Sequence, residues 1–237
     1  EQFTQELRLS AQLADGLIDT TVGAFYYDAD DLLFGRNQIP ILLFDFLSDD
    51  LVTNRSQSLF GHVEVHLTED LDLIGGLRFT DDEKTYNYTR VNIDGTEPSG
   101  DFFTPNFLLA GLNGLSGTFS DSRVDYRLGV NYQLNDDVMV YAQIATGYKG
   151  GGINPRPSAA DQVQTFGAEQ LTAYEAGVKS QLFNGILRLN GAVFLNDYTD
   201  IQLVRYQCPE SDVFSCSIPS NAGNAEILGF ELEGLLE

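Results

Sequence analysis

The sequence predicts an all-β fold, an antiparallel up-and-down meander of about nine long strands. Three observations carry that expectation. Apolar and polar residues alternate with period two over long stretches. Most alternating runs exceed the ~5–6 residues of an ordinary strand. The connections between them alternate between short and long.

The expected strands lie near residues 2–10, 17–29, 55–67, 71–91, 122–134, 138–148, 171–183, 186–203 and 225–236. The first two, around FTQELRLS and DTTVGAFYYDAD, flank the short connection SAQLADG. The third contains HVEVHL, where Val63, Val65 and Leu67 alternate with His62, Glu64 and His66. The short TEDL leads into the fourth strand. The fifth is the clearest: Val124, Tyr126, Leu128, Val130, Tyr132 and Leu134 share one face, and Arg123, Asp125, Arg127, Gly129, Asn131 and Gln133 the other. The short NDD joins it to the sixth, in which Val140, Ala142 and Ile144 oppose Tyr141 and Gln143. In the seventh, Tyr174, Ala176 and Val178 alternate with Glu175, Gly177 and Lys179. Asn184-Gly185 then reads as a type I′ hairpin, because both residues tolerate positive φ. Beyond it, Leu187, Leu189, Val193 and Leu195 alternate with Arg188, Asn190, Ala192 and Asn196, and EILGFELEGLLE forms the ninth strand. Long loops are expected near 30–54, 92–121, 149–170 and 204–224.

The stretch GYKGGGINPRP (147–157) invites a phosphate-loop reading. That loop requires Gly-x-x-x-x-Gly-Lys-Ser/Thr followed by a helix. Here Lys149 precedes the glycines, and Pro155 and Pro157 oppose a helix. The stretch reads as a strand that ends in a loop.

Composition narrows the class. A net charge of -22 and a pI near 4.1 exclude nucleic acid as a partner, since its phosphates would be repelled. The longest apolar run, Ile39 to Phe44, is far shorter than the ~18 residues of a membrane helix. No stretch reads as a signal peptide, and the chain opens and closes inside alternating segments, so a piece of a longer protein is expected. Alternation also fits a soluble β-sandwich with one wet face. Long strands with short turns at one end and long loops at the other favour a transmembrane β-barrel, whose strands need about 9–11 residues to cross. In that reading the apolar faces meet lipid and the polar faces line the lumen. Tyr26, Tyr27, Tyr86, Tyr88, Tyr148 and Tyr198 would then sit in interfacial girdles.

FTQELRLS (3–10), RVDYRLGVNYQLNDDVMVYAQIATGYKGGGINPRP (123–157), EQLTAYEAGVKSQLFNGILRLNGAVFLNDYTDIQL (169–203) and NAGNAEILGFELE (221–233) together resemble the barrel of TonB-dependent outer-membrane receptors. The resemblance covers the strands of nearly the whole chain. It implies that residues 1–237 are an internal part of a roughly 22-stranded transmembrane β-barrel. The plug domain and remaining strands would lie outside this sequence. The implied function is energised uptake of a scarce nutrient, a ferric siderophore by default, across the outer membrane of a Gram-negative bacterium. The alternatives are a passive porin or a soluble extracellular β-sandwich binding protein. Implied partners are outer-membrane lipid and lipopolysaccharide, the plug of the same chain, TonB and a small nutrient ligand. No enzyme activity and no cofactor are expected. In an exported protein, Cys208 and Cys216, which lie in one predicted extracellular loop, are expected to form a disulfide worth about 2–3 kcal/mol.

Other candidate chemistry is thin. His62, Glu64 and His66 suggest a metal, but strand neighbours two apart are separated by about 6.6 Å, too far for three zinc bonds without help from elsewhere. They are assigned as lumen-facing polar residues, and no metal or catalytic residue is assigned. The acidic runs 28–30, 48–50 and 81–84 lack calcium-loop spacing. Two loop segments, IPILLFDFLSDDL (39–51) and DFFTPNFLLAGLNGL (101–115), are unusually apolar, either because they pack on each other over the barrel mouth or because they meet an apolar ligand.

Overall fold

A computed structural model describes residues 1–208 and 216–236. Fourteen strands occur in it. In chain order they are β1 (Gln2–Leu13), β2 (Ile18–Ile39), β3 (Phe44–His66), β4 (Leu71–Asn87), β5 (Arg90–Asn92), β6 (Ser116–Asn135) and β7 (Val138–Lys149). Then come β8 (Gly152–Ile153), β9 (Thr165–Phe166), β10 (Glu169–Leu182), β11 (Leu187–Thr199), β12 (Gln202–Arg205), β13 (Ile218–Asn221) and β14 (Ala225–Leu236). The nine long ones form a single antiparallel meander in the order β1-β2-β3-β4-β6-β7-β10-β11-β14. Each expected strand is present.

Register gives the sheet two chemically distinct faces, because directly paired residues share a face. Leu128, Ile144, Tyr174, Leu195 and Leu228 form one continuous row across five strands. Leu7, Ala24, Leu59, Phe79 and Val124 form another on the same face. This outer face is bare: Leu7, Leu59, Leu77, Val124 and Phe230 are all exposed, Leu228 at 79%. Among the described residues no second sheet covers it, so the chain is not a β-sandwich. Its polar edge is the row Gln5, Tyr26, Gln57, Asp81 and Ser122. From Val124 to Leu134 the strand advances roughly 33 Å, which a tilt of about 40° converts into an apolar band about 25 Å tall.

The inner face carries Arg8, Gly23, Phe60, Arg78 and Asp125 in one row. The Phe60 ring lies between the Arg8 and Arg78 guanidinium groups, 6.0 and 5.5 Å from its centroid. It also lies over Gly23, where a Cβ would overlap it. Tyr141 likewise covers Gly177, and Phe194 covers Gly229. Tyr141 and Gln143 face inward as expected, and both donate to Glu175 Oε1, at 2.6 and 3.3 Å.

The short connections all lie at one end. At the last of them, Asn184 and Gly185 have positive φ, as the type I′ reading requires, and Phe183 is left-handed as well. At the other end the expectation of a loop over 30–54 is overturned. β2 and β3 continue pairing to Ile39↔Phe44, so that region is a long hairpin with only residues 40–43 unpaired. Leu47 and Asn37 and their neighbours lack a clean alternation, which is why the sequence pattern lost the strands there, while backbone pairing continued regardless. The expected loop 92–121 also shortens, since β6 begins at Ser116. Of the expected loop 204–224, residues 209–215 lie outside the described residues.

Candidate functional site

The buried core of this chain lies among the long connections and outer strand ends, at the end opposite the short turns. Phe44 and Phe46 of β3 pack against Leu109 and Leu112 of the β5–β6 connection. The apolar segments 39–51 and 101–115 therefore pack on each other, the first of the two readings given for them. A second cluster joins Tyr86 and Tyr88 to Ile153, with Phe119 and Val163 against it. Burying these side chains contributes roughly 1.5–3 kcal/mol each, and it fixes the connections as one assembly.

Polar residues tie the assembly together. The buried Asp50 carboxylate pairs with buried Arg90. It also accepts from the Tyr86 hydroxyl at 2.8 Å and from the Thr89 amide at 2.9 Å. Arg90 lies over the rings of Phe46 and Tyr88, 5.6 and 5.5 Å from their centroids. Asn106, left-handed at φ 61°, accepts from the Asp45 amide at 2.7 Å and donates to the Asp45 carbonyl at 2.8 Å. It thereby clips one long connection to the β3 hairpin arm.

The GYKGGGINP stretch folds back over the inner face. Lys84 Nζ donates to the Gly151 carbonyl at 2.9 Å. The Tyr88 hydroxyl donates to the Asn154 carbonyl. Gly150 and Gly167 are drawn together by Gln202, whose Nε2 donates to both carbonyls at 3.0 Å. Asn221 donates to the Gly167 carbonyl at 3.0 Å and accepts from its amide at 2.7 Å. Gln202 and Asn221 thus bind the β7–β10 connection to the β11–β14 connection.

Five of the six tyrosines assigned to interfacial girdles lie elsewhere, Tyr27 and Tyr198 because the register puts them on the inner face. Tyr86 and Tyr88 are 6% and 1% exposed inside the loop cluster. Tyr148 donates to Asp82 Oδ2 at 2.5 Å, with the Arg123 guanidinium 4.2 Å above its ring. The physical reason is that acceptors wait there: Asp50 of β3 for Tyr86, Asp82 of β4 for Tyr148, and the Asn154 carbonyl of the returning loop for Tyr88. Burial, then the bond to Asp50, pushes the Tyr86 phenol well above its ordinary pKa. Burial, then neighbouring Tyr86, does the same at Tyr88.

Of the residues read for metal chemistry, His66 is not clustered with His62. Its Nδ1 meets Asp72 at 2.6 Å and its Nε2 meets Asp19 at 3.2 Å. Sequence reading missed both carboxylates, as well as Asp50, Arg90 and Asn106, because each partner comes from a different strand or loop. Cys208 and Cys216 lie with their Cα atoms 6.1 Å apart. That separation is within the range a disulfide spans.

Residues 1–236 match the family described as TonB dependent receptor-like, beta-barrel. The pesticin receptor of Yersinia enterocolitica is 30% identical over 233 residues, which are 98% of this chain and 31% of that protein. The pesticin receptor of Yersinia pestis is 29% identical over the same share. The chain thus spans about a third of the length of these relatives. Among solved structures, the ferric yersiniabactin uptake receptor FyuA from Yersinia pestis superposes with a TM-score of 0.75 at 26% identity, over 98% of this chain and 32% of that one. The siderophore receptor PiuA from Acinetobacter baumannii shares the fold, with a TM-score of 0.69 at 18% identity over the whole of this chain and 36% of that one.

Proposed function

The chain belongs to the TonB-dependent receptor β-barrel family, and from that membership we propose that it forms part of the wall and outer loops of a receptor importing a ferric siderophore. The likeness to the ferric yersiniabactin uptake receptor over almost the whole chain carries this reading. The inner face agrees with it. Arg8 and Arg78 stand over aromatic rings there, a surface that offers positive charge to an anionic metal chelate. In this proposal the remaining strands close a barrel of about 22 strands around a plug. The protein resides in the outer membrane of a Gram-negative bacterium, where the apolar face meets lipid and the exposed Lys149 rim faces lipopolysaccharide. The packed loop assembly and the plug capture the ligand, and TonB drives its release inward.

The test is uptake by cells expressing the full-length receptor. Radiolabelled ferric siderophore is expected to accumulate, and deletion of TonB is expected to abolish accumulation. Uptake that persists unchanged without TonB contradicts the reading and fits a passive porin.

We also propose that Cys208 and Cys216 are a disulfide in the exported protein. Alkylation without reductant is expected to leave both thiols unmodified in a mass spectrum, and alkylation after reduction to label both. Labelling of both without reductant contradicts the pairing.

A further inference from the structure

We propose that Glu64, His66 and Asp72 form a divalent-cation site on the inner face, near the short-turn end of the wall, whose chemistry fits zinc. Register creates the site. His66 pairs directly with Asp72 across β3 and β4, and Glu64 stands two residues back on the same face. One ligand atom from each lies within 4.8 Å of the others. The neighbouring strand thus supplies the convergence that one strand cannot.

Two further observations point to an ion. Asp19 of β2, paired with Glu64, faces His66 Nε2 at 3.2 Å. An imidazole that ligates a metal through one nitrogen commonly gives its other N–H to a carboxylate, and Asp19 is placed for that role. Nδ1, which faces Asp72, is then the ligating atom. The second observation is charge. Three carboxylates surround one imidazole, and among the described residues no Lys or Arg forms a salt bridge with any of them. The chain's other histidine, His62, borders an adjoining cavity of about 410 Å³ with Asp19 and Glu64.

An imidazole with two carboxylates suits zinc better than calcium, which prefers oxygen ligands only. Tetrahedral bonds of roughly 2.1 Å place ligand atoms about 3.4 Å apart, so His66 Nδ1 and Asp72 open from their present 2.6 Å to admit the ion. Water completes the fourth position. Bound there, the ion joins β3 to β4 directly and holds β2 through Asp19.

The experiment uses the full-length receptor in detergent, stripped with chelator and titrated with Zn²⁺ against a chromophoric competitor. One tight equivalent is expected, and excess Ca²⁺ should not displace it. His66→Ala and Asp72→Asn should each weaken binding at least 100-fold. Asp19→Asn keeps all three ligands and should weaken it about 10–100-fold. Retention of the heat-modifiable gel shift shows that each variant is folded. If His66→Ala does not fold, Asp19→Asn carries the test. The proposal is overturned if the wild-type receptor binds no zinc at micromolar concentration, the result expected if a basic group of the remaining chain occupies the carboxylates. It is equally overturned if the folded variants bind as tightly as wild type.

Discussion

Asp50→Ala is expected to destabilise the outer loop assembly by about 3–5 kcal/mol, because it leaves the buried Arg90 guanidinium without its counter-charge. The loss extends beyond one pair. The Thr89 amide loses its acceptor in the same step, and the Tyr86 hydroxyl keeps only a 3.4 Å contact with the Pro155 carbonyl. Arg90 holds a remaining bond to the Thr89 carbonyl at 2.8 Å, too little to satisfy a buried guanidinium. The barrel strands do not depend on this pair, so the effect is local. Hydrogen exchange in the full-length receptor should accelerate for amides of residues 88–115 and stay unchanged for β10 and β11. The double variant Asp50→Leu with Arg90→Met should recover much of the protection, since it removes both buried charges together. Equal exchange in wild type and Asp50→Ala would show that the pair does not hold the loops.

Gly151→Ala is expected to displace the β7–β10 connection from the inner face. A Cβ at this position would overlap both the Phe166 carbonyl oxygen and the Phe119 ring. The ring can turn aside, but the carbonyl belongs to the backbone partner that pairs β8 with β9. Overpacking of this kind costs about 1–3 kcal/mol, and more where backbone must move. Gly147→Ala is the control, because nothing lies within 4 Å of a Cβ there. Limited proteolysis should cleave Gly151→Ala between residues 150 and 168 and leave Gly147→Ala intact. Resistance in both would mean that the close approach is not needed. This also explains the three consecutive glycines. The middle one lets a returning loop touch its own strand ends.

The wall was legible in the sequence because its two periodic constraints are local. Val124 to Leu134 show every second residue facing an apolar medium, and nothing outside that segment is needed to read it. Short turns were legible for the same reason, as Asn184-Gly185 shows. The hairpin arms beyond the apolar band were not, because there both faces meet water or loops and the alternation fades while backbone pairing continues. The tyrosines at strand ends misled because an amphipathic ring suits a membrane interface and a buried loop equally well. Only the path of residues 150–166, a long-range property, separates the two outcomes. The Glu64, His66 and Asp72 grouping was hidden for a related reason. Spacing along β3 argued against a metal, whereas the register with β4 sets Asp72 beside His66, a juxtaposition that no single strand shows.

The central claim is that alternate residues of the wall face lipid and lumen. Spin labels placed singly at positions 124 through 131 of the full-length receptor in liposomes test it most directly. Accessibility to oxygen should peak at 124, 126, 128 and 130, and fall at 125, 127, 129 and 131, with the polar relaxant showing the inverse. Uniform accessibility of both sets to the polar relaxant would contradict the account, since the outer face would then be wet.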